Sequence, residues 1–198
     1  MTNIIKRLIS IYHFTDTKIN LFYNSKQFSF NNTLICAGWK VYGKIFIRNL
    51  GYLKIGKNFF AISSRRGNPI GGDTILRLIV NKSGILNIGN NVGISNSTIV
   101  CWENIQIGDH VKIGGSCKIW DTDFHSLDAI ERCINGDKQI NTAPIIIKDY
   151  AFIGGNSIIL KGVSIGKRSI IGGGSVVTNN VPDNEIWAGN PAKFIRTI

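Results

Sequence analysis

Three histidines are the candidate proton-transfer groups of this chain, and they differ in what surrounds them. His13 lies near the amino terminus, and His110 lies in the run IGDHVKIG, where we expect a solvated turn residue. His125 ends the run DTDFH, inside a segment rich in titratable side chains. A neutral imidazole accepts a proton from a weak acid near pH 7, which fits a general base. A lone histidine in a loop is more often solvated or structural, so the residue type alone leaves both interpretations open.

The elements that must position His125 follow a six-residue repeat. A branched aliphatic residue recurs at every sixth position, a spacing that no α-helix provides. A small side chain stands four positions after each, which suits one inward face of an alternating strand at a tight corner. The spacing predicts short strands stacked coil on coil, and it disfavours the alternative of an ordinary β-sandwich. The repeat positions are Ile147, Ile153, Ile159, Ile165, Ile171 and Val177, preceded by Ile107, Ile113 and Ile119.

This repeat resembles the hexapeptide-repeat acyltransferases over roughly residues 34 to 198, most clearly from Ile105 onward. The resemblance implies an all-β fold: a left-handed parallel β-helix of hexapeptide repeats with a short N-terminal helical arm and a C-terminal tail. The hand follows from the resemblance alone, because parallel crossovers are generally right-handed. Composition agrees with one domain, since 198 residues, 43% of them hydrophobic, can bury a sizeable core.

The repeat is interrupted once in its second half. It stops at Ile119 and resumes at Ile147, a gap of 28 residues that is not a multiple of six. Long excursions from a compact repeat usually serve function or are disordered. The expected units are an N-terminal arm over 1–30, the β-helix over 31–182 with protruding loops 64–80 and 124–145, and a C-terminal tail over 183–198.

The run DTDFHS is similar to the segment that holds the catalytic histidine in sugar O-acetyltransferases of this family. By this resemblance the chain is an acetyl-CoA-dependent enzyme with His125 as general base. The acetyl group would go to a hydroxyl of a sugar in a surface polysaccharide or its precursor. Transfer to the amine of a nucleotide-linked amino sugar is the alternative, because the same base serves both. Asp123 orients the imidazole, contacts the acceptor or caps a turn, and the sequence leaves these roles open.

The same resemblance implies where the two substrates bind. Glycines are expected to contact the pantetheine arm of coenzyme A closely, with the N–H of Gly155 stabilising the oxyanion, and cations to bind the nucleotide phosphates. The implied cofactor-binding residues are Gly155, Gly173, Thr178, Asn179, Lys193 and Arg196. The implied acceptor-binding residues are Asp123, Arg65 and Asn68, with either Ser95 or Asn96 near the acceptor hydroxyl.

The net charge of +11 calls for an anionic partner. A phosphorylated cofactor, an anionic sugar or an acidic membrane surface would serve, whereas no recognition helix, stacking motif or zinc module indicates nucleic acid. The apolar stripe of residues 3–12 is expected to pack on the coils or on a neighbouring subunit, and peripheral membrane contact is the less favoured alternative. The resemblance also implies a homotrimer with active sites between subunits.

Four cysteines without paired spacing predict reduced thiols in the cytoplasm and no metal site. The β-helix carbonic anhydrases are a competing class that binds zinc through three histidines. The position of His13 in the arm disfavours them. No apolar run reaches the roughly 18 residues of a membrane span, and the first residues lack the continuous hydrophobic region of a secretory signal.

Overall fold

A computed structural model describes residues 17–64, 67–71 and 74–198 of the chain. Two sequence-based expectations therefore lie outside the described residues: the acceptor-binding role of Arg65, and the apolar stripe of residues 3–12. His13 lies outside them as well.

Within the described residues, twenty short strands form three sheets that run along the prism. Within each sheet, consecutive coils pair in parallel, whereas the last pair, β19 with β20, is antiparallel. Sheet A contains β1 (Leu34–Ile35), β4 (Tyr52–Ile55), β7 (Ile85–Ile88), β10 (Asn104–Ile107), β13 (Ile145–Ile147) and β16 (Ser164–Ile165). Sheet B contains β2 (Lys40–Gly43), β5 (Phe60–Ser63), β8 (Gly93–Ser95), β11 (Lys112–Ile113), β14 (Phe152–Ile153), β17 (Ile170–Ile171), β19 (Glu185–Gly189) and β20 (Ala192–Thr197). Sheet C contains β3 (Phe46–Asn49), β6 (Arg77–Val80), β9 (Thr98–Cys101), β12 (Lys118–Trp120), β15 (Ile158–Ile159) and β18 (Val176–Val177).

The six-residue period corresponds to one wall of the prism per repeat. Ile147 lies in sheet A, Ile153 in sheet B and Ile159 in sheet C, and the next three aliphatics follow the same order one coil later. Pairing in register stacks these side chains into continuous interior columns. The column of sheet C consists of Ile47, Leu78, Ile99, Ile119, Ile159 and Val177, each at most 4% exposed.

Small polar residues fill the interior corners between walls. Ser157 is fully buried, and its hydroxyl donates to the carbonyl oxygens of Gly154 at 2.7 Å and Gly172 at 3.1 Å. Ser175 repeats the first bond one coil later by donating to Gly172 O at 2.6 Å. These hydroxyls satisfy carbonyls at the bends, where the chain leaves one sheet for the next.

A helix covers the open edge at the start of the prism. Residues 17–30 are helical and form α1, whose side-chain amides lie along β3. Asn24 Oδ1 accepts from Ile45 N at 3.0 Å, and Gln27 Oε1 accepts from Ile47 N at 3.2 Å. These bonds replace the strand that would otherwise pair with the edge. At the other end, β19 and β20 form a hairpin, and Trp187 packs against the core.

Two expected boundaries differ from the structure. The first protruding loop was expected over 64–80, but it ends at residue 76 because β6 begins at Arg77, and Leu78 and Val80 alternate inward as buried residues. The second was expected over 124–145, but the chain leaves sheet C after Trp120 and joins sheet A at Ile145. A short helix α2 (Ala129–Cys133) forms within it.

Candidate active site

The two ends of the long loop between β12 and β13, here called the loop root, are held together by hydrogen bonds. Thr122 and Thr142 form an antiparallel bridge, and Ala143 N donates to Asp121 O at 3.0 Å. The carboxylate of Asp121 is fully buried and accepts three backbone N–H groups, from Trp102, Glu103 and Asn104, at 2.7 to 2.9 Å. A buried carboxylate with three donors holds the neighbouring turn and the loop root together.

His125 stands just beyond this root and is held by Asp137. Its Nδ1 lies 2.5 Å from Asp137 Oδ2, while Asp137 Oδ1 accepts from Ser126 N at 2.6 Å. The Ser126 N–H and the imidazole together hold the pKa of Asp137 below its usual value. An ionised carboxylate only accepts, so Nδ1 carries the proton and Nε2 of the neutral ring has a free lone pair. The His125 side chain is 69% exposed, so Nε2 is accessible to a substrate.

The rest of the loop supports this dyad. Asp128 caps α2 by accepting from Glu131 N at 2.8 Å, and Glu131 Oε1 accepts from Lys138 N at 3.0 Å. Arg132 Nη1 donates to Ser126 O at 2.6 Å. The segments on either side of α2, which supply the histidine and the aspartate, are therefore tied to the same short helix.

Asp137 was missed by the sequence reasoning, which considered Asp123 as the residue that orients the imidazole. In the structure Asp123 Oδ1 faces Lys161 Nζ at 3.4 Å, and its buried Oδ2 has no partner among the described residues. Asp137 lies twelve positions after His125 and adopts a left-handed backbone with φ of 56° after Gly136. The only signal in the sequence is the turn-forming run Asn135-Gly136-Asp137.

The outer face of sheet C connects His125 to a groove. A cavity of about 550 Å³ lies on this face, with Thr98, Lys118 and Ile158 in its lining and Ile70 from the first loop beside them. Along β12, Trp120 follows Lys118 by two residues, or about 7 Å. The Phe124 ring lies 5.9 Å from the Trp120 ring. Two aromatic side chains, Trp120 and Phe124, therefore lie between Lys118 of the groove and His125 along the chain.

The predicted cofactor glycines stack at the corner between sheets B and C, next to this groove. Gly174 N donates to Gly155 O at 2.8 Å, and a Cβ on Gly173 would lie 3.2 Å from the same oxygen. A Cβ on Gly155 would lie 2.9 Å from Ile70 Cδ1. Side chains here would fill the surface that a closely bound ligand needs. Asn68, a predicted acceptor residue, has its buried Nδ2 beside the neighbouring Gly115.

The C-terminal cations share one face of β20. Lys193 pairs with Ala188 and Arg196 with Ile186, because a bulge near Ile195 adds one residue between them. Opposed residues in an antiparallel pair project to the same side, so both cations lie on the outer face of sheet B. The remaining predicted cofactor residues, Thr178 and Asn179, lie elsewhere, after β18 at the corner between sheets C and A.

The two alternatives for the acceptor hydroxyl, Ser95 and Asn96, are placed differently. Asn96 is fully buried, and its amide group binds both backbone polar groups of Ser64, accepting at 3.0 Å and donating at 3.1 Å. This side chain closes the base of the first loop. Ser95 lies on the outer face of sheet B beside Phe60 and Lys112. One described subunit therefore does not bring Ser95 to the same wall as the His125 dyad.

Three other groups that could do chemistry, on His110, Cys101 and Cys117, are engaged in other contacts or buried. His110 lies at a corner between sheets A and B, where its ring stacks on Tyr150 with centroids 4.7 Å apart. Burial raises the pKa of the Cys117 thiol, and burial together with the Asp121 carboxylate raises the pKa of Cys101. Among the described residues there is no group of three histidine, cysteine or acidic side chains suited to a metal ion.

Comparisons with known proteins agree with the repeat architecture. Residues 144–179 match the family model described as bacterial transferase hexapeptide (six repeats). A Saccharomyces cerevisiae protein, YJL218W, whose name assigns it provisionally to the acetyltransferases, is 39% identical over 103 residues. A 2,3,4,5-tetrahydropyridine-2,6-dicarboxylate N-acetyltransferase of Clostridium perfringens is 49% identical over 55 residues. The matched segments cover 52% and 28% of this chain and 50% and 23% of those relatives, so the chain spans half their length or less.

Solved structures share the fold over most of the chain. AntD, an N-acyltransferase from Bacillus cereus solved with dTDP and 3-hydroxybutyryl-CoA, has a TM-score of 0.67 at 20% identity and covers 88% of both chains. The hexapeptide-repeat acetyltransferase VCA0836 from Vibrio cholerae has a TM-score of 0.53 at 24% identity, over 96% of this chain and 92% of its own. The predicted left-handed parallel β-helix is confirmed.

Proposed function

We propose that this chain transfers an acetyl group from acetyl-CoA to a hydroxyl of a sugar in a surface polysaccharide or its precursor. The observation that carries the proposal is the His125–Asp137 dyad, whose Nε2 is exposed at one edge of sheet C. The opposite edge of sheet C is the corner lined by glycines. The names of the relatives support an acetyl group as the group transferred, and the fold shared with an acyltransferase solved with a CoA thioester supports coenzyme A as its carrier. The supply of this donor favours the cytoplasm as the place of reaction.

The dyad suits the chemistry of thioester transfer. His125 Nε2 takes the proton of the acceptor hydroxyl as its oxygen attacks the thioester carbonyl, and Asp137 stabilises the imidazolium that forms. A backbone N–H at the glycine corner of a neighbouring copy, with Gly155 as our candidate, stabilises the oxyanion. The carbon–sulfur bond then breaks, and the imidazolium returns its proton to the departing CoA thiolate. This direct route needs no covalent acyl-enzyme, which agrees with the raised thiol pKa of Cys101 and Cys117.

The positions of the remaining candidate residues support an assembly of several copies, and we propose a homotrimer. His125 projects from the corner between sheets C and A, whereas Lys193, Arg196 and Ser95 lie on the outer face of sheet B. A site that uses all of them needs sheet B of a neighbouring copy beside the dyad. We therefore infer that the phosphates of CoA bind Lys193 and Arg196 of one copy while the dyad of another acts on the acetyl group.

A second acceptor class is supported by the comparisons. The Clostridium relative is an N-acetyltransferase, and AntD has been solved with dTDP-4-amino-4,6-dideoxyglucose and coenzyme A. An amine of a nucleotide-linked sugar would approach the same base. The groove on sheet C contains Lys118, which would favour a phosphorylated acceptor.

The test is thiol release from acetyl-CoA with a panel of sugars and nucleotide-linked amino sugars, followed by mass analysis of the product. An acetylated product that mild alkali hydrolyses is an ester and supports the hydroxyl acceptor. An alkali-stable product is an amide and supports the amine instead. Thiol release that no acceptor stimulates, or no release at all, would contradict both versions of the proposal.

A further inference from the structure

Helix α1 has its apolar side turned away from the protein. The face that meets the first coil is built from Asn24, Gln27 and Phe28, of which the two amides bind the edge of β3. On the opposite face Phe22 is 66% exposed and Phe30 is 78% exposed, and Ile19 continues the stripe. A surface helix normally buries its apolar stripe and exposes its polar one. This reversed arrangement indicates that the outer stripe meets an apolar environment.

Charge identifies that environment. Residues 19–60 contain six lysines and arginines and no aspartate or glutamate. Lys26 lies within the stripe, with Nζ 5.6 Å and 5.8 Å from the centroids of the Phe22 and Phe30 rings. Lys44 Nζ lies 5.4 Å from the Tyr23 ring, and Arg48 is exposed on the adjacent strand β3. Aromatic side chains flanked by cations fit the boundary between lipid headgroups and acyl chains.

We propose that α1 and the first two coils form a docking surface for an anionic lipid bilayer, with Phe22 and Phe30 inserted at the headgroup level. A second copy of this chain would present the same cations, among them Lys26, Lys44 and Arg48, and the two ends would repel each other. No helix within the described residues is long and apolar enough to cross a membrane. The surface lies at the end of the prism away from the hairpin that carries Lys193 and Arg196, and it is independent of the proposed catalytic chemistry.

The experiment is co-sedimentation of the full chain with phosphatidylcholine vesicles that contain or lack phosphatidylglycerol. We expect binding only to the anionic vesicles, with release as ionic strength rises, because each cation near the surface contributes an electrostatic attraction that salt screens. The double variant Phe22→Glu, Phe30→Glu should partition about tenfold or more weakly, since it removes the apolar contact and adds two negative charges.

A matched control uses two equally exposed apolar residues of the long loop. Leu127 and Ile134 are 71% and 72% exposed, and the variant Leu127→Glu, Ile134→Glu should bind vesicles as the wild type does. Circular dichroism and thermal melting confirm that both variants are folded. Absence of vesicle binding, equal binding to both lipid compositions, or equal loss in both variants would overturn the proposal. A different result would assign the stripe to a protein partner instead: the wild type does not bind vesicles but forms an assembly, and only the phenylalanine variant dissociates.

Discussion

The replacement Asp137→Asn tests how the loop prepares His125 for proton transfer. Asp137 has two acceptor oxygens, and each receives one short bond: from His125 Nδ1 at 2.5 Å and from Ser126 N at 2.6 Å. Asparagine offers one oxygen and one NH₂ group. If the asparagine oxygen still accepts from Ser126 N, its NH₂ group faces His125 Nδ1. The ring proton then moves to Nε2, the nitrogen whose lone pair must be free to accept the proton of the acceptor. If the amide turns over, the Ser126 bond is lost.

Either outcome disturbs the base without removing it. General-base catalysis contributes about 10² to 10⁴-fold, so we expect kcat to fall by about 10²-fold with little change in the KM for acetyl-CoA. The assay is the initial rate of thiol release with a saturating acceptor. In the His125→Ala background, Asp137→Asn should have almost no further effect, because the two residues act as a unit.

Asp128→Asn is the matched control for this experiment. It makes the same chemical change in the same loop, at the cap of α2, where asparagine caps as well as aspartate does. The control should keep wild-type kcat and melting temperature. An Asp137→Asn enzyme with wild-type kcat, or a control that loses activity equally, would refute the reasoning about the tautomer.

Three further predictions concern the glycine corner, the Asp109 carboxylate and the C-terminal cation Arg196. Gly154→Ala would place a Cβ 2.5 Å from the backbone nitrogen of Gly173 and should destabilise the fold by about 1–3 kcal/mol in a thermal melt. Gly155→Ala would place a Cβ 2.9 Å from the end of the Ile70 side chain and 3.1 Å from the Gly115 carbonyl oxygen, a milder crowding, and should chiefly raise the KM for acetyl-CoA. The backbone N–H of Asn90 lowers the pKa of Asp109 by binding its ionised carboxylate. The stability that this ionised carboxylate adds to the fold is therefore present above about pH 4, and it is lost as pH falls through the lowered pKa of the folded state. Asp109→Asn should therefore flatten the dependence of melting temperature on pH in that acidic range; an unchanged slope would contradict the assignment. Arg196→Ala should raise the KM for acetyl-CoA more at low salt than at high salt, and an unchanged KM would remove this cation from the cofactor site.

The sequence predicted the fold because the repeat is a periodic constraint. Every sixth residue from Ile147 to Val177 is a wall residue of the core, and a shift of one position would turn each of them to solvent. The interruption after Ile119 likewise located the long loop and His125 within it. These features depend on local spacing, which a single chain displays directly.

The partner of His125 could not be predicted in the same way. Asp137 reaches the imidazole through a closed loop, a short helix and a left-handed backbone conformation, and none of these has a period. Asn96 illustrates the same difficulty, because its amide is committed to the backbone of Ser64, 32 residues away. The reversed polarity of α1 follows from amides that bind the edge strand, a contact that the helical pattern does not reveal.

The central claim is that His125 is the base of an acetyl transfer. The direct measurement compares acceptor-stimulated thiol release from acetyl-CoA in His125→Ala and His110→Ala, two variants that each remove one imidazole from the described β-helix. We predict that His125→Ala lowers kcat by about 10² to 10⁴-fold and that His110→Ala, which loses only a ring stack with Tyr150, keeps it. Full activity in the His125→Ala enzyme would contradict the account.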